Sequence, residues 1–178
     1  SVVNALSIRM ECVVRRGGYR NRITFSRGKT KSKLKEIGPA RGSGTEITFE
    51  PDPAVFPKTV FDARTIRARC ETASYVHGGI RVVWVNEAEG VKEAFQHDGG
   101  LEDFLQRVVE ERKSRPVHDA PCVFRKEQES VRIECVMQWT DATDEKLLSY
   151  ANGIPTGSGG THESGFRSGV GKALRNYI

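Results

Sequence analysis

The chain has 178 residues, a formal net charge of +5 and four cysteines. Hydrophobic residues at 37% and charged residues at 29% fit a folded chain rather than a disordered one. No apolar run reaches the roughly 18 residues of a membrane helix, and the start Val2-Val3-Asn4-Ala5-Leu6 has neither the basic nor the long apolar segment of a secretory signal. The cysteines, Cys12, Cys70, Cys122 and Cys135, show no CxxC or zinc-finger spacing and read as free thiols, with Cys12 and Cys135 buried. The modest basic excess favours polyanions weakly.

From the N-terminus, Ile8–Arg15 alternates apolar and polar residues as a half-buried strand does, Gly17-Gly18 turns the chain, and Tyr19–Phe25 reads as the returning strand. Ser26–Gly44 reads as a loop with a short strand near Leu34–Ile37. Thr45–Phe49 alternates again. Three prolines between Pro51 and Pro57 then mark a boundary between two parts of the chain.

The second part opens with a predicted helix over Phe61–Val76, capped by Asp62, facing inward through Ala63, Ile66, Cys70 and Ala73, and stopped by His77-Gly78-Gly79. Ile80–Val85 and Val91–His97 make a hairpin. Asp98-Gly99-Gly100 turns into a helix at Leu101–Arg112, whose Leu101, Phe104, Leu105, Val108 and Val109 form one apolar face. Strands follow at Pro121–Arg125, Val131–Trp139 and Lys146–Asn152. A loop at Gly153–Gly160 leads to a last helix, capped by Thr161 and facing inward through Phe166, Val170, Ala173, Leu174 and Tyr177. The mixed order of elements argues an α+β fold.

No phosphate loop, nucleophile elbow or HExxH motif is present. His97 beside Asp98 reads as two residues on opposite faces, His162 as a packing or capping group, and the loop before Thr161 as a helix entry rather than an anion site. Arg64 and Arg67, and Lys172 and Arg175, lie one turn apart on helix faces, the usual pattern of a solvated stripe.

Five strings, in order, resemble the ATPase subunits of bacterial type IIA DNA topoisomerases, the gyrase B and topoisomerase IV B family. They are Ser1–Ser7; Gly44–Phe49 with Pro51-Asp52; Phe95–Leu101 with Phe104; Gln138–Asp141; and Tyr150–Thr156 leading through Gly159-Gly160-Thr161 to Arg167. Trp139-Thr140-Asp141 leans toward gyrase, whereas Ile154-Pro155-Thr156 also suits topoisomerase IV.

The resemblance implies that residues 1–52 end a GHKL-type α/β sandwich ATPase domain. Residues 53–178 would be an incomplete transducer domain of ribosomal-protein-S5-domain-2-like fold, with a left-handed βαβ crossover. It implies that Thr45 helps hold the adenine side of ATP, that Ile47 walls the pocket, and that Arg16 stands at the rim where coumarins bind. Arg64, Arg67, Arg167 and Arg175 become candidates to face DNA phosphates. ATP and Mg2+ would serve the intact parent, a bacterial cytoplasmic, nucleoid-associated enzyme. Its partners would be duplex DNA, a DNA-cleaving subunit (gyrase A or topoisomerase IV A) and a second ATPase subunit, with no membrane. The family's catalytic and magnesium-binding residues have no match here, so the chain alone is expected neither to hydrolyse ATP nor to cut DNA. The alternative is a standalone basic module that binds nucleic acid or protein without ATP.

Overall fold

The computed structural model describes residues 2–178, so Ser1 of the first string lies outside the described residues. It has two compact units, Ser1–Phe61 and Asp62–Ile178. The division falls just past the proline cluster in which the sequence suggests a boundary.

The first unit is one antiparallel sheet behind a short helix, α1 (Val2–Ala5). Strands β1 (Ser7–Arg16) and β2 (Tyr19–Ser26) form a hairpin around Gly17 and Gly18, which both adopt positive φ (62° and 87°). A tight turn of this kind is open to glycine without a Cβ clash. Strand β5 (Gly44–Pro51) pairs with the other edge of β1, and β3 (Lys29–Thr30) and β4 (Lys35–Pro39) pair with β2. The segment read as a loop with one short strand near Leu34–Ile37 contributes that strand as β4 and a further one, β3, absent from the expectation.

Cross-strand partners share a face, so the register sorts the side chains. Met10, Cys12 and Val14 lie opposite Phe49, Ile47 and Thr45 on one side, and opposite Phe25, Ile23 and Asn21 on the other. That face is apolar. The opposite face is polar, with Arg9, Glu11 and Arg15 of β1 beside Glu50, Thr48 and Gly44 of β5. Among the described residues of this unit the buried side chains are polar, Ser7 and Asp52, and the apolar face is uncovered, with Ile47 55% and Phe49 42% exposed. Cys12 is half-buried rather than buried, because the face is largely open; Phe61 meets only Phe49 there, edge-on at 5.9 Å.

Asp52, 2% exposed, ties the unit together. Its carboxylate accepts from Arg27 Nε and, at 3.2 Å, from Arg27 Nη2; the Ala54 N–H donates to it at 2.9 Å. Its own N–H donates to the Leu6 carbonyl (3.0 Å), and Arg27 N–H to the Ser7 carbonyl (2.8 Å). The first two strings therefore meet here. The Arg27 guanidinium and the Ala54 N–H hold the Asp52 carboxyl below the usual carboxylate range.

The second unit holds the buried apolar residues found among the described residues: Tyr75, Trp84 and Phe95. Helix α2 (Ala63–Val76) is capped by Asp62, whose side chain accepts from Arg64 N–H at 3.0 Å. Strands β6 (Val82–Asn86) and β7 (Val91–Phe95) form a hairpin, and α3 (Leu101–Glu111) follows. Tyr75 of α2 stacks on His97 (centroids 3.6 Å apart) and on Phe104 of α3 (5.0 Å). His97 Nδ1 also meets Ser74 Oγ at 2.8 Å, so this histidine is a packing residue, away from Asp98. A Cβ on Gly78 would stand 3.2 Å from the Gly100 Cα, and Gly100 has φ 60° and ψ −120°. Two glycine backbones touch where α2 ends and α3 begins, which explains the Gly-Gly of the third string.

Strands β8 (Cys122–Gln128) and β9 (Val131–Met137) make a second hairpin. Gln138–Asp141 then clamps the segment before β8. Trp139 N–H donates to His118 Nε2 (3.0 Å), Val117 N–H to the Trp139 carbonyl (3.0 Å), and Arg115 N–H to Asp141 Oδ1 (2.8 Å). Val131 and Ile133 are exposed, and Cys135 is half-buried with its thiol pKa pushed up by desolvation. The expected strand over Lys146–Asn152 shrinks to β10 (Tyr150–Ala151), paired with β11 (Ile154–Pro155). Asn152-Gly153, both at positive φ (50° and 79°), makes a tight reversal, and the ladder on either side is two residues long. His77 lies over Gly153, where a Cβ would collide with its ring.

The last helix, α4 (Thr161–Tyr177), begins at Thr161, so that residue is not its cap. Gly160 holds the cap position without a side-chain hydrogen bond. The first turn is steadied instead by Glu163, which accepts from Ser149 Oγ (3.2 Å) and from Arg167 Nη2 (3.3 Å). Leu174 and Tyr177, expected inward, are exposed, because among the described residues nothing covers the helix beyond Val170. Every ladder among the described residues is antiparallel, so no parallel strand pair of a βαβ crossover is formed here.

Candidate functional site

The three residues singled out for a nucleotide pocket all lie on the apolar face of the first sheet. Thr45 stands directly opposite Val14, Ile47 opposite Cys12, and Arg16 two residues beyond Val14 at the hairpin end, opposite Tyr19. Strand alternation and an unbroken register between Val14 and Arg16 put them on one side. Directly opposed Cβ atoms are about 5 Å apart, so the Thr45 hydroxyl, the Ile47 side chain and the Arg16 guanidinium border one patch. All three are exposed. The arrangement offers a flat apolar floor with one hydroxyl that can both donate and accept, and a guanidinium fork at the rim. Such a surface suits one side of a planar heteroaromatic ring.

The four arginines considered for a DNA-facing role have different surroundings. Arg67 is bound at 2.6 Å to Glu93 and at 3.0 Å to Glu71, and its guanidinium lies 5.1 Å from the Phe95 ring centroid. Glu93 first, and Glu71 with it, raise the Arg67 pKa further, and Arg67 in turn lowers that of Glu93. Arg167 donates to Glu145 (2.6 Å) and Glu163 (3.3 Å). Arg64 is fully extended into solvent, 3.8 Å from Asp62, and Arg175 lies in the last turn of α4 with no ion pair among the described residues. Two of the four are therefore neutralised in place.

The distribution of charge is what helix-by-helix reading missed. Residues 1–61 carry twelve Lys and Arg against five Asp and Glu, whereas residues 62–178 carry sixteen against eighteen. The signal was available as a simple count over each half of the chain.

An antiparallel sheet followed by an α+β unit has counterparts among solved ATPase domains of the gyrase kind. The Thermus thermophilus gyrase B 43K ATPase domain, solved with an aminocoumarin, superposes with a TM-score of 0.82 at 35% identity, over 99% of this chain and 48% of that one. A topoisomerase IV ATP-binding domain from Francisella tularensis, in complex with a small-molecule inhibitor, gives 0.79 at 25% identity over 99% and 48%.

Residues 100–178 match the profile of the DNA gyrase B family. Nearly the whole chain (99%) aligns with DNA topoisomerase 4 B of Mycoplasma pneumoniae at 38% identity and with DNA gyrase B of Thermus thermophilus at 37%. Along nearly its whole length the chain is similar to the DNA gyrase B and topoisomerase IV B family. It spans 28% of the length of each of those two relatives.

Proposed function

We propose that this chain is the part of an ATP-dependent type IIA topoisomerase subunit that supplies one wall of the nucleotide pocket and the opening portion of the coupling domain. The observation that carries this reading is the placement of Thr45, Ile47 and Arg16 side by side on an uncovered apolar face. On this reading residues 1–52 end a GHKL-type sandwich, whose remaining half covers that face. Residues 53–178 are a transducer of the ribosomal-protein-S5-like kind, its left-handed crossover completed by chain beyond these residues. Thr45 orients the adenine side, Ile47 packs against the base, and Arg16 forks to a planar, oxygen-rich inhibitor at the rim.

Among the described residues no group of three or more His, Cys, Asp or Glu is arranged to hold a metal ion. On the family resemblance, the Mg2+ that accompanies ATP and the catalytic groups belong to residues elsewhere in the parent. In the parent, ATP selects a closed dimer by its higher affinity for that state, and closure is coupled to passage of a DNA duplex cut by the partner subunit. Of the four arginines considered, Arg64 and Arg175, which carry no strong carboxylate partner, are the two free to meet phosphates there; the setting is the bacterial cytoplasm. The binding-module alternative is not favoured, because the alignments run through the whole chain and not one half of it.

The test is aminocoumarin and ATP-analogue binding to the parent protein, read by calorimetry. Thr45→Ala is expected to weaken the nucleotide and Arg16→Ala to weaken the coumarin selectively, each by roughly tenfold, as loss of one polar contact to a ligand does. Unchanged affinities in both variants would remove the pocket assignment.

A further inference from the structure

The polar face of the first sheet, opposite the nucleotide face, gathers cations in a way no intramolecular contact explains. Arg15 of β1 stands directly across from Arg20 of β2, and Arg22 of β2 directly across from Lys35 of β4. Like charges opposed in a ladder are destabilising. None of the ion pairs among the described residues involves Arg15, Arg20, Arg22 or Lys35. The glycines beside them make room. Gly44 faces Arg15 in β5, with Arg15 Nη2 3.2 Å from where a Gly44 Cβ would stand, and Gly38 faces Arg20. The Arg15 guanidinium thus lies across the sheet rather than projecting from it. The face is polarised as well. Its carboxylates, Glu11, Glu46 and Glu50, lie on the strands away from the Gly17-Gly18 turn or on β5, and Glu11 is engaged at 3.7 Å by Arg9.

We propose that this cationic corner, Arg15, Arg20, Arg22 and Lys35, is a binding surface for the phosphate backbone of duplex DNA. Four cations on a surface roughly 10 Å across, set by strand spacings of about 4.8 Å and two-residue steps of about 6.6 Å, suit a regular row of phosphates and no single small anion. The face bears Val13 and otherwise charged residues, threonines and glycine, with no aromatic ring on which an unpaired base would stack. It has no apolar wedge to enter a lipid headgroup layer either. Contacts of this kind hold phosphates without reading sequence. The choice of DNA among polyanions rests on the proposed function, whereas the unpaired cations do not.

The experiment measures binding of a fluorescent 20-base-pair duplex to the nucleotide-free 178-residue chain across a salt series. The variant Arg15→Gln/Arg20→Gln/Arg22→Gln is expected to flatten the log–log salt slope by about 2–3 and to lower affinity at low salt more than tenfold. Arg81→Gln/Lys92→Gln/Lys172→Gln removes the same charge from the second unit and is expected to leave the slope unchanged. The charge-preserving Arg15→Lys/Arg20→Lys/Arg22→Lys keeps the slope, which covers the case in which the glutamine variant fails to fold.

Equal slopes for the glutamine variant and the wild type overturn the proposal. So does a slope lost equally in the second-unit control, or arginine-dependent binding to a phosphatidylglycerol vesicle or a single strand that exceeds duplex binding. Failure here leaves the nucleotide and coumarin measurements on the parent untouched, and failure there leaves this slope untouched.

Discussion

The two units solve the problem of burying apolar surface differently. In the second, Tyr75, Trp84 and Phe95 are buried, and a stack of His97, Tyr75 and Phe104 fastens two helices and a turn. In the first, the side chains that lose all solvent are Ser7 and Asp52, while Ile47 and Phe49 stand open. One unit is held by an aromatic core, the other by a ladder and a polar knot around Asp52. A sheet kept together that way keeps an apolar face available for something else, which is the condition a ligand pocket shared with further chain requires.

The comparison breaks most readily at Tyr75. Tyr75→Ala is expected to cost about 3–5 kcal/mol, as truncation of a buried aromatic does. Both tryptophans, Trp84 and Trp139, lie in the second unit, so tryptophan fluorescence during urea unfolding reads it directly. A shift smaller than about 1 kcal/mol would mean the stack is not the core. Gly100→Ala comes next. It puts a Cβ in a glycine-only backbone region and 3.5 Å from the Gly78 Cα, and should cost about 1–3 kcal/mol in the same assay.

Acid probes the other unit. The Asp52 carboxyl is held below its ordinary value, so its contribution is fully present above the usual carboxylate pKa of about 3.9 and is lost as pH falls through the lowered value. Protection of the β1 and β5 amides, relative to their intrinsic exchange rate at each pH, is expected to fall below about pH 4 in the wild type. In Asp52→Asn the same amides should exchange faster already at neutral pH and lose that acid dependence; an unaltered pH profile would sever Asp52 from the unit's stability. The smallest effect is expected at Ile47. Ile47→Thr should change stability by no more than about 0.5 kcal/mol, as exposed substitutions do, while lowering the binding of an apolar dye. A large loss of stability would show that the face is already covered.

Strong local signals were legible from residues alone. The β1–β2 hairpin follows from alternation around Gly17-Gly18, α2 from its spacing and the Asp62 cap, and α3 from Leu101, Phe104, Leu105, Val108 and Val109. Alternation also places Thr45 and Ile47 on one strand face, but only the register between β1 and β5 brings Arg16 to the same patch. The β1–β5 register is a long-range property; the opposition of Arg15 and Arg20 is local, fixed by the two-residue Gly17-Gly18 turn, and went unread only because the helix arginines drew notice.

The same limit hides one partner each of Arg67 and Arg167, Glu93 and Glu145, which lie more than twenty residues away, whereas Glu71 and Glu163 stand at i,i+4 spacing that the sequence displays. Lys146–Leu148 has the composition of a strand, yet a strand needs a partner, and the Asn152-Gly153 reversal supplies one only to Tyr150 and Ala151. At Thr161 the local rule for caps lost to a longer contact, the one between Glu163 and Ser149.

The excess of twelve basic over five acidic residues in the first unit, against sixteen and eighteen in the second, also governs how the protein handles at the bench. On a cation-exchange column the first unit alone sets retention, and the second is carried along. Any nick near Phe61 would therefore resolve into two peaks, one bound and one in the flow-through, so chromatography offers a direct assay of whether the join between the units is open to proteases.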